Sequence, residues 1–164
     1  MNIVLVRVDD RLIHGQILES WIPFIKAECV VVANDALAGD QFQRAILSMA
    51  IPDRIKIRIV TVEETRVLTG DPELSGLSGL VIVSSLLDAY RLWKADVEYR
   101  VLNIGNMKGL ETSRQISFSV WLSDEDEDMI REMISQGLAV NLQSVPRERE
   151  IDIRTIIDMG KSWS

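Results

Sequence analysis

Short apolar runs rich in valine and isoleucine recur along the chain without the in-and-out alternation of a half-exposed strand. The clearest are residues 3–6, 29–32, 55–60, 80–83, 101–102 and 138–142. Continuous runs of this kind are typical of strands that are covered on both faces, as in a parallel sheet. They therefore predict a series of buried strands with other elements between them.

The segments between these runs carry the periodicity of helices. One apolar stripe begins at Ile13, and another comprises Phe42, Ala45, Ile46 and Met49. A further helix is predicted after the N-cap residue Ser123, because the acidic residues 124–128 would complement its dipole. Strands that alternate with helices in this way imply right-handed βαβ units and a largely parallel sheet.

The last third of the chain has a different pattern. Ile116, Phe118 and Val120 alternate with polar neighbours, which suits an edge or antiparallel strand. Pro146 leads into a final helix, predicted over residues 151–159. The patterns together predict a single α/β domain over residues 1–164. We expect a mostly parallel central sheet of about six to seven strands, helices on both faces and an antiparallel edge strand.

Length and charge narrow the class of protein. A chain of 164 residues fits one domain with a proper core. Its 18 Lys and Arg residues against 25 Asp and Glu give a net charge of −7. A nucleic-acid binder needs a basic face, so this balance argues against such a partner.

The cysteine count and the hydropathy of the chain further restrict the class of protein. Cys29 is the only cysteine, which excludes an intrachain disulfide and a cysteine cluster that holds a metal. The first apolar run ends at Arg7, which is too short for a signal peptide, and no run approaches the ~20 residues of a membrane span. We therefore expect a cytoplasmic protein without membrane insertion and without a cofactor.

The segment after the first strand gathers the most reactive side chains. Residues 7–16 read RVDDRLIHGQ and hold two Asp, two Arg and the only histidine. In an open α/β sheet, ligands bind beyond the carboxyl ends of the strands, which is where this segment would lie. His14 would come at or just before the first turn of a helix, where free N–H groups favour an anion.

The neighbours of His14 suit phosphoryl chemistry. Arg11 offers a planar fork of donors to a phosphate, and Gly15 has no Cβ to obstruct the backbone. Asp9 or Asp10 would accept one imidazole N–H and fix the tautomer. Such an imidazole is able to take a phosphoryl group and pass it on. The alternative is that His14 only caps the helix or fills a partly buried position.

The same ten residues resemble a family signature. Residues 7–16 are similar to the pattern R-[IV]-D-D-R-L-I-H-G-Q of the IIB component of the mannose/fructose/sorbose family of the bacterial phosphoenolpyruvate-dependent sugar phosphotransferase system (PTS). Weaker similarity continues at Asn34-Asp35, at residues 103–107, and at Val145-Pro146 followed by Glu148. The resemblance therefore covers nearly the whole chain.

The resemblance implies a phosphoryl carrier. A histidine after the first strand takes a phosphoryl group from a IIA protein and passes it to a sugar that enters through the IIC/IID membrane pair. His14 corresponds to that histidine, with the phosphoryl group expected on Nδ1. Arg11 is expected to stabilise the phosphate, and Asp10 to orient the ring, with Asp9 as second choice. Gly15 and Gln16 complete the expected phosphate or partner contacts.

Arg7 and the serine pair Ser84-Ser85 have two interpretations each. Arg7 would meet an acidic partner surface or serve a structural role as the last strand residue. Ser84 or Ser85, after the fourth strand, would offer a hydroxyl to the phosphate or cap the following helix. The family tends to have an aromatic or basic residue and a proline in that loop, and this chain has serines and leucines. Sugar identity and homo-oligomer formation are left open.

Three other functions are alternatives. A receiver domain also has an acidic pair after its first strand, but here Thr61 and Asn103 stand where it needs an aspartate and a lysine. A paralogue that is phosphorylated on His14 and regulates another protein fits the sequence equally well. A small-ligand-binding α/β domain without catalysis is the plainest alternative.

Overall fold

The computed structural model describes residues 1–159, so residues 160–164 of the predicted domain lie outside the described part. Nine strands occur within it: β1 Asn2–Asp9, β2 Cys29–Ala33, β3 Lys56–Val60, β4 Ser78–Val83, β5 Val101–Asn106, β6 Arg114–Ser117, β7 Val120–Leu122, β8 Ala139–Leu142 and β9 Ile151–Asp152. The α-helices there are α1 Ile22–Ile25, α2 Asp35–Ala38, α3 Gln41–Ala50, α4 Thr65–Leu68, α5 Leu86–Lys94 and α6 Asp124–Ser135. A π-helical turn, Ile17–Trp21, runs directly into α1, and 3-10 turns cover Pro72–Leu74 and Ile153–Thr155.

The strands of the main sheet are ordered β3-β2-β4-β1-β5-β8-β9. All neighbours in it are parallel except β8 and β9, which are antiparallel. The predicted α/β fold, with a mostly parallel sheet and an antiparallel edge, is therefore confirmed. The order also places β1 in the interior of the sheet, between β4 and β5.

Apolar side chains cover the sheet on both faces, as predicted. On one face Val6 and Val8 of β1 pack in the same cluster as Leu92 of α5 and Met133 of α6. On the other face Leu5 packs in a cluster with the first helical segment, including Ile17, Trp21 and Ile22. Because Leu5 packs in one cluster and Val6 and Val8 pack in the other, both faces of β1 are buried from Leu5 onward.

Helix α6 begins as its sequence predicts. The Ser123 hydroxyl accepts the Asp126 N–H at 3.1 Å, and the Asp126 carboxylate accepts the Ser123 N–H in return at 2.9 Å. The acidic residues occupy the first turn, where the helix dipole favours negative charge. This cap explains the run of acids without a metal or a basic partner.

The predicted final helix is wrong. Residues 151–152 form the edge strand β9 instead, and a 3-10 turn follows. The Asp152 side chain accepts the Arg154 N–H at 2.9 Å and pairs with the Arg154 guanidinium, which stabilises this short turn. The antiparallel edge of the main sheet is therefore β9.

The alternating residues 116–120 belong to a separate hairpin. Strands β6 and β7 form a two-stranded antiparallel sheet, and a single bridge between Val120 and Met107 joins it to the segment after β5. Phe118 lies in the turn between them and is 95% exposed. An alternating pattern indicates a strand with two unlike faces, but it does not indicate which sheet the strand joins.

The apolar stripe of α3 faces outward. Phe42, Ile46 and Met49 are 72%, 47% and 86% exposed, whereas an amphipathic helix usually turns such a stripe to the core. The helix packs on the core through Leu47, on a different side. The spacing therefore predicts the helix correctly but not the face that it buries.

The outward face of α3 leads to a stability prediction. We expect Met49→Ala to change the free energy of unfolding by less than about 0.5 kcal/mol, because this side chain lies in solvent. Met133→Ala is the matched control in α6, where Met133 is fully buried, and it should cost about 2–5 kcal/mol. Denaturant unfolding of both variants checks this, and similar losses for the two would contradict the placement of α3.

Candidate functional site

The carboxyl ends of β4, β1 and β5 meet where the reactive segment leaves the sheet. Val8 of β1 is paired with Val83 of β4 and with Ile104 of β5. Beyond that point the β1–β5 register shifts by one residue, so that Asp9 is opposite Asn106. This irregularity brings the side chains of Asp9 and Asn106 together at the edge where α/β sheets bind ligands.

Asp9 is the centre of the site. Its side chain is fully buried, and Oδ2 accepts hydrogen bonds from His14 Nε2 at 2.8 Å and from Asn106 Nδ2 at 2.9 Å. The other oxygen, Oδ1, accepts the Arg11 backbone N–H at 3.1 Å. One carboxylate therefore fixes both the imidazole and the loop that carries it.

The environment of Asp9 favours its charged form. Burial by itself would raise the pKa of the Asp9 carboxyl. The hydrogen bond from His14, the charge of Arg7 and the hydrogen bond from Asn106 outweigh burial and hold this pKa below its ordinary value of 3.8. At neutral pH the carboxylate is thus ionised and able only to accept hydrogen bonds.

The charge of Asp9 assigns the tautomer of His14. Because the carboxylate only accepts, Nε2 of the imidazole must carry the hydrogen of their 2.8 Å contact. In the neutral ring Nδ1 then holds the lone pair. The His14 side chain is 14% exposed, so one nitrogen is fixed in the protein while the ring still reaches solvent.

The helix begins directly after His14. The Ile17 and Leu18 N–H groups both donate to the His14 carbonyl, at 3.0 and 3.1 Å. The N–H groups of Gly15 and Gln16 precede this hydrogen-bonded turn, as the first N–H groups of a helix do. Gly15 is exposed, and an added Cβ there would meet nothing within 4 Å. The start of the helix is therefore open to an anion beside the imidazole.

Arg11 lies at the solvent-exposed side of the site. Its side chain is 47% exposed, and its Nε lies 3.9 Å from Asp9 Oδ1. Its Nη2 donates to Gln16 Oε1 at 2.9 Å, and the same oxygen accepts Asn106 Nδ2 at 3.3 Å. Gln16 thus holds the guanidinium near His14 while leaving most of its donors free for a ligand.

Asp9, and not Asp10 as expected, is the acid that contacts His14. Asp10 was the first choice for the acid that orients His14, but its Oδ2 accepts the Lys108 backbone N–H at 2.8 Å. Consecutive residues at the end of a strand project in opposite directions, so only Asp9 is directed at the imidazole. Asp10 instead ties the loop to the segment after β5.

Arg7 does not contact a partner surface, because its side chain is completely buried. Its Nη2 donates to Asp9 Oδ2 at 3.1 Å, so Arg7 helps to hold the Asp9 carboxylate in place. The expectation of a partner contact is therefore wrong. The apolar residues on either side of Arg7 predict a buried strand, and an arginine within it needed buried partners.

The two serines after β4 have different contacts. Ser85 caps α5 by accepting the Asp88 N–H at 3.1 Å, as one interpretation predicted. Ser84 accepts Asn34 Nδ2 at 2.9 Å, and Asn34 in turn caps α2. Since β4 is the neighbour of β1, the Ser84 hydroxyl lies at the same edge of the sheet as Asp9.

Two residues of the site were not predicted: Asn106, which donates to Asp9, and Gly105, where an added Cβ would come within 2.0 Å of Arg7 Cζ. Both lie in residues 103–107, where the sequence resembles the family, but that similarity gave them no roles. Their importance follows from the register of β5 against β1, which the sequence does not encode in any local motif.

Among the helices of residues 1–159, none has the length and apolar character needed to span a bilayer.

Comparisons with known proteins agree with this geometry. The family model for the PTS system sorbose subfamily IIB component matches residues 3–163. The fructose-specific EIIB component of the Bacillus subtilis PTS is 29% identical over 157 residues, which is 96% of each chain. An N-acetylgalactosamine-specific phosphotransferase IIB component of Escherichia coli is 31% identical over 93% of this chain and 96% of its own length.

Solved structures and a fused relative extend the comparison. The IIB domain of the sorbose permease from Klebsiella pneumoniae superposes with a TM-score of 0.86 at 27% identity, covering 93% of this chain and 94% of that one. The mannose-specific EIIAB component of Escherichia coli is 24% identical over 96% of this chain, which corresponds to 50% of its own length. With a family match over nearly its whole length, the chain belongs to the sorbose-subfamily IIB components of the sugar phosphotransferase system, the phosphoryl carriers of sugar uptake.

Proposed function

We propose that His14 is the phosphoryl carrier of this protein and that Nδ1 is the atom that bears the group. The observation that carries the proposal is the 2.8 Å contact between His14 Nε2 and the ionised Asp9. This contact places the hydrogen on Nε2 and leaves a lone pair on Nδ1, which makes Nδ1 the nucleophile.

In the first transfer, the Nδ1 lone pair attacks the phosphorus of a phosphohistidine on the donor protein. The P–N bond to the donor breaks, and its electron pair returns to the donor imidazole. The His14 ring becomes cationic, and the Asp9 carboxylate stabilises that charge through Nε2–H. Phosphoryl transfer needs positioning and charge stabilisation rather than covalent machinery, so these groups suffice.

In the second transfer, a sugar hydroxyl attacks the phosphorus in line with the P–Nδ1 bond. That bond breaks, its electron pair returns to Nδ1, and the hydroxyl proton leaves to solvent or a base of the acceptor site. Arg11 and the N–H groups of Gly15 and Gln16 hold the phosphoryl oxygens in both steps. Ser84 adds a hydroxyl hydrogen from the neighbouring strand end, since its oxygen already accepts from Asn34.

The proposed partners are those that membership of the family implies. The donor is a phosphorylated IIA protein, and the fused EIIAB relative supports such a pairing. The acceptor is a sugar carried by a IIC/IID membrane pair, which places the protein in the cytoplasm. The enzyme class is a protein-Nπ-phosphohistidine–sugar phosphotransferase of the mannose, fructose, sorbose and N-acetylgalactosamine type.

Phosphorylation of His14 is the direct test. Wild-type protein mixed with a phosphorylated IIA protein should gain one acid-labile phosphoryl group by intact mass, and His14→Ala should gain none. Because His14 is the only histidine, gain of the group by His14→Ala would move the site to another residue type. Failure of wild type with several IIA donors would favour the small-ligand-binding alternative.

The two aspartates form a matched pair of variants. Asp9→Asn should slow phosphoryl acceptance at least about 100-fold, because an amide has only one accepting oxygen and presents donors to His14 and Arg7. Asp10→Asn should stay near wild type, because its amide oxygen still accepts the Lys108 N–H. Rapid-quench measurement of the transfer rate checks this, and an equal loss in both variants would contradict the assignment of Asp9.

The planar fork of Arg11 is tested by Arg11→Lys. This variant keeps the charge but loses the fork and the contact to Gln16, so we expect about a tenfold slower transfer. Arg44→Lys, an exposed arginine of α3, is the control and should leave the rate unchanged. An unchanged rate in Arg11→Lys would remove Arg11 from the phosphate site.

A further inference from the structure

We propose that Arg7 is a positioning residue for the transfer, which acts on His14 only through Asp9 and never touches the phosphoryl group. The inference rests on the proposed role of His14 and adds a residue that no phosphate or partner reaches. It is supported by the set of hydrogen bonds and packing contacts around the Arg7 guanidinium.

Every hydrogen-bond donor of the Arg7 side chain is used. A guanidinium has five N–H groups in a fixed plane, and each has an acceptor within the protein. Nε and one N–H of Nη2 converge on Asp9 Oδ2, at 3.3 and 3.1 Å. The remaining acceptors are the Asn103 side-chain oxygen and the Gln143 and Ser144 carbonyls, the two carbonyls at 2.9 Å each.

The guanidinium is also closely packed by Trp21 and by the backbone of Gly105. The Trp21 ring lies over one face, with its centroid 4.7 Å from Arg7 Cζ. On the backbone of Gly105, an added Cβ would come within 2.0 Å of Cζ, so only glycine leaves room for the cation there. Trp21 Nε1 donates to the same Ser144 carbonyl that accepts from Arg7, at 2.9 Å. The enclosure therefore fits a planar cation, which lysine is not.

Of the five acceptor contacts, only those to Asp9 involve a charge. The charged or titratable groups that face Asp9 are Arg7, Arg11 and His14, and Asn106 adds a neutral donor. Arg7 is the only one of these cations that is fully buried and permanently charged. Without it, the charged or titratable groups that face Asp9 would be the exposed Arg11 side chain and the imidazole that Asp9 orients.

Stability alone does not account for this arrangement. A buried ion pair is often no better for stability than apolar residues of similar volume. What the pair does supply is an immobile, ionised Asp9 oxygen 2.8 Å from His14 Nε2. Arg7 thereby keeps the hydrogen on Nε2 and the lone pair on Nδ1.

The test is a double-mutant cycle on the transfer rate. If Arg7 acts through Asp9, Arg7→Lys slows phosphoryl acceptance at least about tenfold, and the double variant Arg7→Lys/Asp9→Asn is no slower than Asp9→Asn alone. A purely structural Arg7 would instead give losses that multiply. Multiplying losses, or an unchanged rate in Arg7→Lys, would overturn the proposal.

The tautomer of His14 is a second readout that does not depend on transfer. As the only imidazole of the chain, it gives unambiguous ¹⁵N resonances. Wild type should show the Nε2–H tautomer, and Arg7→Lys should show a mixture of both tautomers. Arg7→Lys could show the tautomer mixture while wild type accepts no phosphoryl group from any donor. That result would refute the phosphoryl function and retain the positioning role of Arg7.

Gly105→Ala is the second variant, because it displaces the guanidinium while Arg7 itself is kept. It should reproduce the tautomer mixture, whereas Gly39→Ala, whose Cβ would make ordinary contacts to the Ala36 and Asp35 carbonyl oxygens at 3.7 and 3.9 Å, should not. Circular dichroism and cooperative thermal unfolding show that each variant folds. If neither Arg7→Lys nor Gly105→Ala folds, Arg7 is a structural residue and the proposal fails.

Discussion

The buried ion pair between Arg7 and Asp9 is the interaction on which the rest of the site depends. It joins two residues of the central strand β1 and ties them to β5 through Asn103 and to the segment after β8 through two carbonyls. The first helical segment joins through Trp21. Because all these elements meet on one guanidinium, the carboxyl edge of the sheet is rigid where the chemistry takes place.

Rigidity on one side of the imidazole and openness on the other suit a carrier that serves two partners. Nε2 of His14 is held by a buried carboxylate, while the ring reaches solvent next to the open start of a helix. Under the proposed function, a donor protein and a sugar each approach Nδ1 in line, which requires an open site. The family relationship names the system in which such a group is passed on, and the proposed carrier atom is Nδ1 of His14.

The sequence predicts those parts of the molecule that depend on local patterns. Continuous apolar runs indicated the buried strands, and the clustering of reactive residues after β1 indicated the site. Features that depend on contacts distant in sequence were missed: Arg7 needed acceptors from residues 103 and 143–144, and the choice of Asp9 over Asp10 follows from the direction of strand side chains. Periodicity likewise predicted α3 but not its outward face, because spacing shows that a helix has two faces and not which one is covered.

The central claim is that Asp9 fixes Nε2 so that Nδ1 receives the phosphoryl group. The most direct measurement is the ¹⁵N–³¹P coupling pattern of the phosphorylated protein, labelled with ¹⁵N in its one histidine. We expect coupling of phosphorus to Nδ1, with a hydrogen retained on Nε2. Phosphorus bonded to Nε2 would contradict it, because that nitrogen would then have to leave the Asp9 carboxylate.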